Sequence, residues 1–153
     1  LFSMLFTVAC SEDASNVANK SEAVVKMEVF KQASCGCCKK WISHMEDAGF
    51  DVKARNRVSL NVIKKEFGVA PRYQSCHTAV AEGYVFEGHI PADIVQRFLD
   101  DRPEGVIGLA VPGMPVGSPG MEVGDRLDPY DVLVMKKDGT TEVYAHISAS
   151  SVN

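Results

Sequence analysis

Val24-Val25-Lys26-Met27-Glu28-Val29-Phe30, then Cys35-Gly36-Cys37-Cys38, then Lys39-Lys40-Trp41-Ile42-Ser43-His44-Met45: this stretch decides how the chain is read. The first segment is apolar and β-branched, the composition of a strand. After the cysteines, Trp41, Ile42, Met45 and Ala48 fall on one face at helical spacing and Gly49 is a good terminator, so a helix is expected over Cys38–Gly49. The opening unit is therefore a strand that runs through a cysteine turn into a helix.

Working outward, Phe50 to Arg55 reads as a second strand, and Ser59 is placed to cap a short helix from Leu60 to Phe67 that ends at Gly68. His77 to Ala81, a turn at Glu82-Gly83, and Tyr84 to Phe86 form a hairpin pattern. Pro91 can start a helix whose buried face is Ile94, Val95, Phe98 and Leu99, and Pro103 stops it. From Gly105 to Pro129 the chain is dense in Gly and Pro and reads as one long loop, with GMPVGSPGME at its centre. A loop of that length within a compact domain is either functional or disordered. Tyr130 to Met135 and Thr141 to Ile147, around Lys137-Asp138-Gly139-Thr140, read as a closing hairpin. The order is β-α-β-α-β-β-α plus a C-terminal β-hairpin. With Cys-x-x-Cys at the first strand–helix junction, this α/β order is the thioredoxin-like arrangement.

The 153 residues suffice for one ordinary domain with a core of its own, expected over residues 23–148. The net charge is −4 and the basic residues are dispersed, which sets nucleic-acid binding aside. Leu1 to Ala9 is almost purely apolar and too short to span a bilayer as a helix. Residues 1–10 fit the apolar core and small-residue end of an export signal, and Thr7-Val8-Ala9-Cys10 is a loose version of a bacterial lipobox. Two outcomes stay open: lipidation of Cys10, which would attach the protein to a membrane, or simple cleavage near Ala9. Residues 11–22, polar and small, read as a flexible tether.

Export changes how the other cysteines are read. Four cysteines in an oxidising compartment often mean two structural disulfides. Here three of them share one turn, and a Cys35–Cys38 staple would close a loop too short to add much stability. Three crowded thiols suit chemistry better than stapling. At a helix N-terminus, with Lys39 and Lys40 beside them, their thiolates are favoured. In a thioredoxin-like fold Cys76, at the start of the third strand, would complete a four-thiol site, and His89 arrives at the same end of the sheet.

Paired Cys-x-x-Cys knuckles would be the strong zinc signal, and this sequence has no second one. Soft thiolate and thioether ligands favour Cu(I), and crowded thiolates can bridge several such ions. Met114 and Met121 flank the Gly/Pro-rich turn and offer thioethers. Each residue also has a plainer reading. The cysteines can be a metal-free redox pair, the methionines packing residues, and His89 a capping or hairpin-end residue. His77 is expected on the opposite sheet face, His44 on a solvated helix face, and His146 has no assigned role; Trp41 is core.

Cys35-Gly36-Cys37-Cys38, Ser75-Cys76-His77-Thr78-Ala79, Gly88-His89-Ile90-Pro91 and the run from Gly108 to Glu122 together resemble the CopG family. That resemblance spans roughly residues 24–147. It implies an exported protein with a thioredoxin-like core and a cysteine-bridged multi-copper site in the periplasm or cell envelope of a Gram-negative bacterium. It implies Cys35, Cys37, Cys38 and Cys76 as copper ligands, places Met114, Met121 and His89 in family motifs, and carries a proposed role in interconverting Cu(I) and Cu(II). Copper ions and other periplasmic copper-handling proteins are the partners that follow. The competing expectation is a thiol-disulfide oxidoreductase, with Cys35 or Cys38 as nucleophile; a stapled module with two disulfides is the third.

Overall fold

The computed structural model describes residues 23–149. The stretches read above as an export signal and a tether, Cys10 included, lie outside the described residues. Among the described residues, seven strands form one sheet, in the order β2-β1-β3-β4-β5-β6-β7. They are β1 Lys26–Lys31, β2 Asp51–Asn56, β3 Thr78–Ala81, β4 Tyr84–Glu87, β5 Val106–Ala110, β6 Tyr130–Lys136 and β7 Thr141–Ile147. Three α-helices accompany them: α1 Gly36–Asp47, α2 Asn61–Glu66 and α3 Ala92–Asp101. None is long and apolar enough to cross a membrane.

β1 runs parallel to β2 and antiparallel to β3, and β3 pairs antiparallel with β4. The main core lies between the sheet and the apolar faces of α1 and α3, where Met27, Val29, Trp41, Met45, Phe86, Val95 and Phe98 are buried together. Burial of those faces, rather than intrinsic helix propensity, holds such short helices. A smaller cluster of Val69, Tyr73, Val85, Ala110 and Met135 forms a second core, with Phe67 packed against it. The two helices of the main core are pinned by unlike contacts. Trp41 donates its indole N–H to the Ile90 carbonyl at 2.8 Å, and the Ala92 N–H donates to His44 Nε2 at 3.0 Å. His44 thus satisfies an orphan donor at the start of α3, a role different from the solvated face expected of it.

Two expectations need correction. The stretch Gly105–Pro129 is not loop throughout, because Val106–Ala110 is β5, parallel to β4 and antiparallel to β6. A strand buried between neighbours reads as a short continuous apolar run rather than an alternating one. Gly108 interrupts that run because a Cβ there would overlap the Val85 carbonyl of β4. Ser59 is also not the residue at the cap of α2; Leu60 occupies that position, and Ser59 Oγ accepts from the Asn61 N–H at 3.4 Å.

Candidate metal centre

The cysteine turn is built by the end of β1. Cys35 is the N-cap of α1, and its sulfur accepts from the Cys38 N–H at 3.3 Å. Cys35 and Cys38 form a disulfide. Cys38 is buried at the first turn of the helix, whereas Cys35 and Cys37 are half-buried and Lys39 and Lys40 are exposed. Cys76 arrives from the other side, in the loop between a 3-10 turn at Pro71–Tyr73 and β3. Its sulfur lies 3.8 Å from that of Cys37 and 3.6 Å from that of Cys38. Cys35 and Cys37 sulfurs are 3.5 Å apart. One ligand atom from each of the four fits within 4.8 Å of all the others.

A buried polar network fixes the Cys76 loop. Lys64 of α2 pairs with Glu87 of β4, and both side chains are almost fully buried. Glu87 also accepts from the Thr78 hydroxyl at 2.6 Å and from the Ser75 N–H at 2.7 Å. Burial raises the Glu87 pKa, and Lys64, Thr78 and Ser75 work against that rise. Ser75 in turn donates its hydroxyl to the Gly113 carbonyl, tying the Cys76 loop to the Gly/Pro-rich loop.

Two histidines flank the Cys76 sulfur. His89, just past β4, brings Nε2 to 2.9 Å from it, and His77 brings Nδ1 to 3.4 Å. The other ring nitrogen of His89 is 2.7 Å from the Pro119 carbonyl. A carbonyl only accepts, so Nδ1 carries the proton and Nε2 offers its lone pair to the sulfur. Burial lowers the His89 pKa, against the opposing pull of the Pro119 carbonyl and the Glu122 carboxylate. Burial likewise holds His77 well below the usual histidine range, aided by the positive charge that His89 and Lys64 would bring. The Cys76 thiol is pushed up to about 12, first by burial and then by Cys37. Without a metal, then, Cys76 is a neutral thiol donating to a neutral imidazole, and a metal binding there must displace its proton.

Sequence reasoning placed His77 on the far sheet face. That fails because β3 begins one residue later, at Thr78, and His77 still belongs to the loop. His77 is fully buried, with its ring centroid 4.4 Å from that of Trp41. His146 instead pairs with Asp131 on the outer hairpin, at 2.7 Å.

The two methionines sit on the loop that covers this end. Met114 is 51% exposed, and Met121 is half-buried. The Gly113 N–H donates to the Gln74 carbonyl at 3.2 Å, so Met114 follows directly on a contact with the Cys76 loop. Gly120, next to Met121, lies against α1: a Cβ there would come within 2.7 Å of the Cys37 carbonyl and 3.3 Å of His89 Nδ1.

Comparison with solved structures finds copper resistance protein CopG in two forms, each 40% identical to this chain with a TM-score of 0.78. Each match covers all of the CopG chain and 82% or 83% of this one. The chain belongs to the CopG family. A family model described as a protein of unknown function, DUF411, matches residues 73–121. That segment carries Cys76, His77, His89, Met114 and Met121 and leaves out the cysteine turn at residues 35–38. No match is found among curated proteins.

Proposed function

We propose that this chain is a copper-resistance protein of the periplasm or cell envelope that holds several Cu(I) ions as a cysteine-bridged cluster. The observation that carries the reading is the convergence of four sulfurs, from a helix N-terminus and a distant loop, into one group. Soft thiolates select Cu(I), and copper resistance is what the CopG relatives are named for. Once the Cys35–Cys38 disulfide is reduced, the same four sulfurs can also hold one tetrahedral ion. The number of ions per chain therefore separates copper cluster from single-metal site. The order β1-α1-β2-α2-β3-β4-α3, with β1 lying between β2 and β3, parallel to the first and antiparallel to the second, supports a thioredoxin-like core as the scaffold.

The disulfide gives the site a redox couple. Two thiolates that become the Cys35–Cys38 disulfide release two electrons, enough to reduce two Cu(II) to two Cu(I). A dithiol donor reopens the pair by exchange and is itself oxidised. The same disulfide favours a second reading, thiol-disulfide exchange on protein substrates without copper. Both are tested by reducing the protein anaerobically, titrating Cu(I), and counting tightly held copper per chain. More than one, lost in Cys→Ser variants of the cluster, supports the first reading. No retained copper, together with reduction of a test disulfide, supports the second.

A further inference from the structure

We propose that Cys76, His77 and His89 form a second, mononuclear site, sharing Cys76 with the four-sulfur group, for a divalent transition-metal ion, Cu(II) foremost, that is competent while Cys35 and Cys38 are disulfide-bonded. The inference rests on the copper reading above and adds a second binding state to it. One ligand atom from each of these three residues fits within 4.8 Å of the other two. None of the three takes part in the disulfide, so its closure, which removes two sulfurs from the four-sulfur group, leaves this set intact.

Each ring shows a feature of a metal ligand. His89 donates Nδ1–H to the Pro119 carbonyl and aims Nε2 at the Cys76 sulfur. This is the outer hydrogen bond that fixes the tautomer of metal-bound imidazoles. His77 is fully buried, and its Nε2 has no hydrogen-bond partner among the described residues. Nδ1, the nitrogen that faces the sulfur, is the one open to a metal, and the buried ring is held in that orientation at the cost of an unpaired Nε2. The rings meet edge to face, with centroids 5.0 Å apart, so both reach the sulfur without stacking on each other. Two imidazoles and one thiolate in trigonal array are the donor set that suits copper in its electron-transfer sites. On binding, the Cys76 thiol gives its proton to solvent and the sulfur takes the metal in its place.

The test uses the full chain carrying Cys10→Ser and Cys37→Ser with the Cys35–Cys38 disulfide closed, so that Cys76 is the sole thiol. Co(II) is the first probe because it does not oxidise a thiol, and Cu(II) follows. The expected result is one ion per chain with a thiolate-to-metal charge-transfer band. The band disappears in Cys76→Ser, and affinity falls at least tenfold in His89→Ala and in His77→Phe. Phenylalanine keeps a ring against Trp41 and removes only the nitrogens. In the unsubstituted-histidine protein, ring-nitrogen NMR with Zn(II) gives the same answer without a folding risk: the signals of both histidines move. No bound ion, a band indifferent to His77→Phe, or an unmoved His77 ring overturns the proposal. The Cu(I) count of the reduced wild-type chain is measured separately, so loss of the cluster reading and loss of this site are told apart.

Discussion

The sulfur of Cys76 lies 3.8 Å from that of Cys37, although the two residues are 39 positions apart. The contact joins the N-terminus of α1 to the loop before β3, and the account of copper binding depends on it. Replacing Cys76 with Ser leaves three sulfurs on a single turn. Copper retained per reduced chain is expected to fall to one or none, by metal analysis after desalting, while the circular dichroism of the fold stays unchanged.

Gly120 is where the covering loop presses on the site. Its φ is +88°, and a Cβ would approach the Cys37 carbonyl to 2.7 Å and the Trp41 nitrogen to 3.0 Å. The atoms in the way are mostly backbone, so the loop has to lift. Gly120→Ala is expected to lower Cu(I) affinity by tenfold or more in a competition titration with a chelator. Gly113→Ala meets no neighbouring atom within 4 Å, but its φ of +70° gives it the same backbone strain. It therefore serves as the control for strain without the clash.

The Lys64–Glu87 pair holds the Cys76 loop from beneath. Removing one member of a buried pair costs about 3–5 kcal/mol, because the other charge is left without a partner. Glu87→Ala is therefore expected to destabilise the fold by about that amount in urea denaturation, and Glu87→Leu combined with Lys64→Met by much less. Both variants lose the acceptor of the Ser75 N–H. Both are therefore expected to show weaker copper binding, including the double variant whose stability is restored.

The pH dependence follows from Cys76. Its pKa is raised to about 12, chiefly by burial. The proton is thus retained in the fold where the unfolded chain has lost it. The contribution to stability is neutral below the ordinary thiol pKa and becomes unfavourable as pH rises from there towards 12. In the metal-free protein with Cys37→Ser, alkylation of Cys76 by iodoacetamide is expected to keep accelerating with pH up to at least pH 10. A plateau near pH 8 would show an ordinary, solvated thiol.

Much of this architecture is legible in the sequence. The apolar run before Cys35, the helical face from Trp41 to Met45 and the Glu82-Gly83 hairpin all carry strong local patterns, and each is present where expected. β5 was obscured because Gly108 interrupts its apolar run and the segment leads into Pro112-Gly113, so turn residues masked a strand that needs both neighbours to form. The meeting of Cys76 with the cysteine turn was legible only through the topology. His77 was misplaced because a one-residue error in where a strand begins reverses the face of a side chain. His44 was misread because its partner, the Ala92 N–H, lies 48 positions away on another helix. No local pattern announces such a contact.

X-ray absorption at the copper edge of the reduced, Cu(I)-loaded chain tests the central claim most directly. The account predicts sulfur neighbours around copper together with a short copper–copper contact, both lost when Cys76 is replaced by Ser. A sulfur shell with no copper neighbour at full loading, or a spectrum indifferent to Cys76, would contradict it.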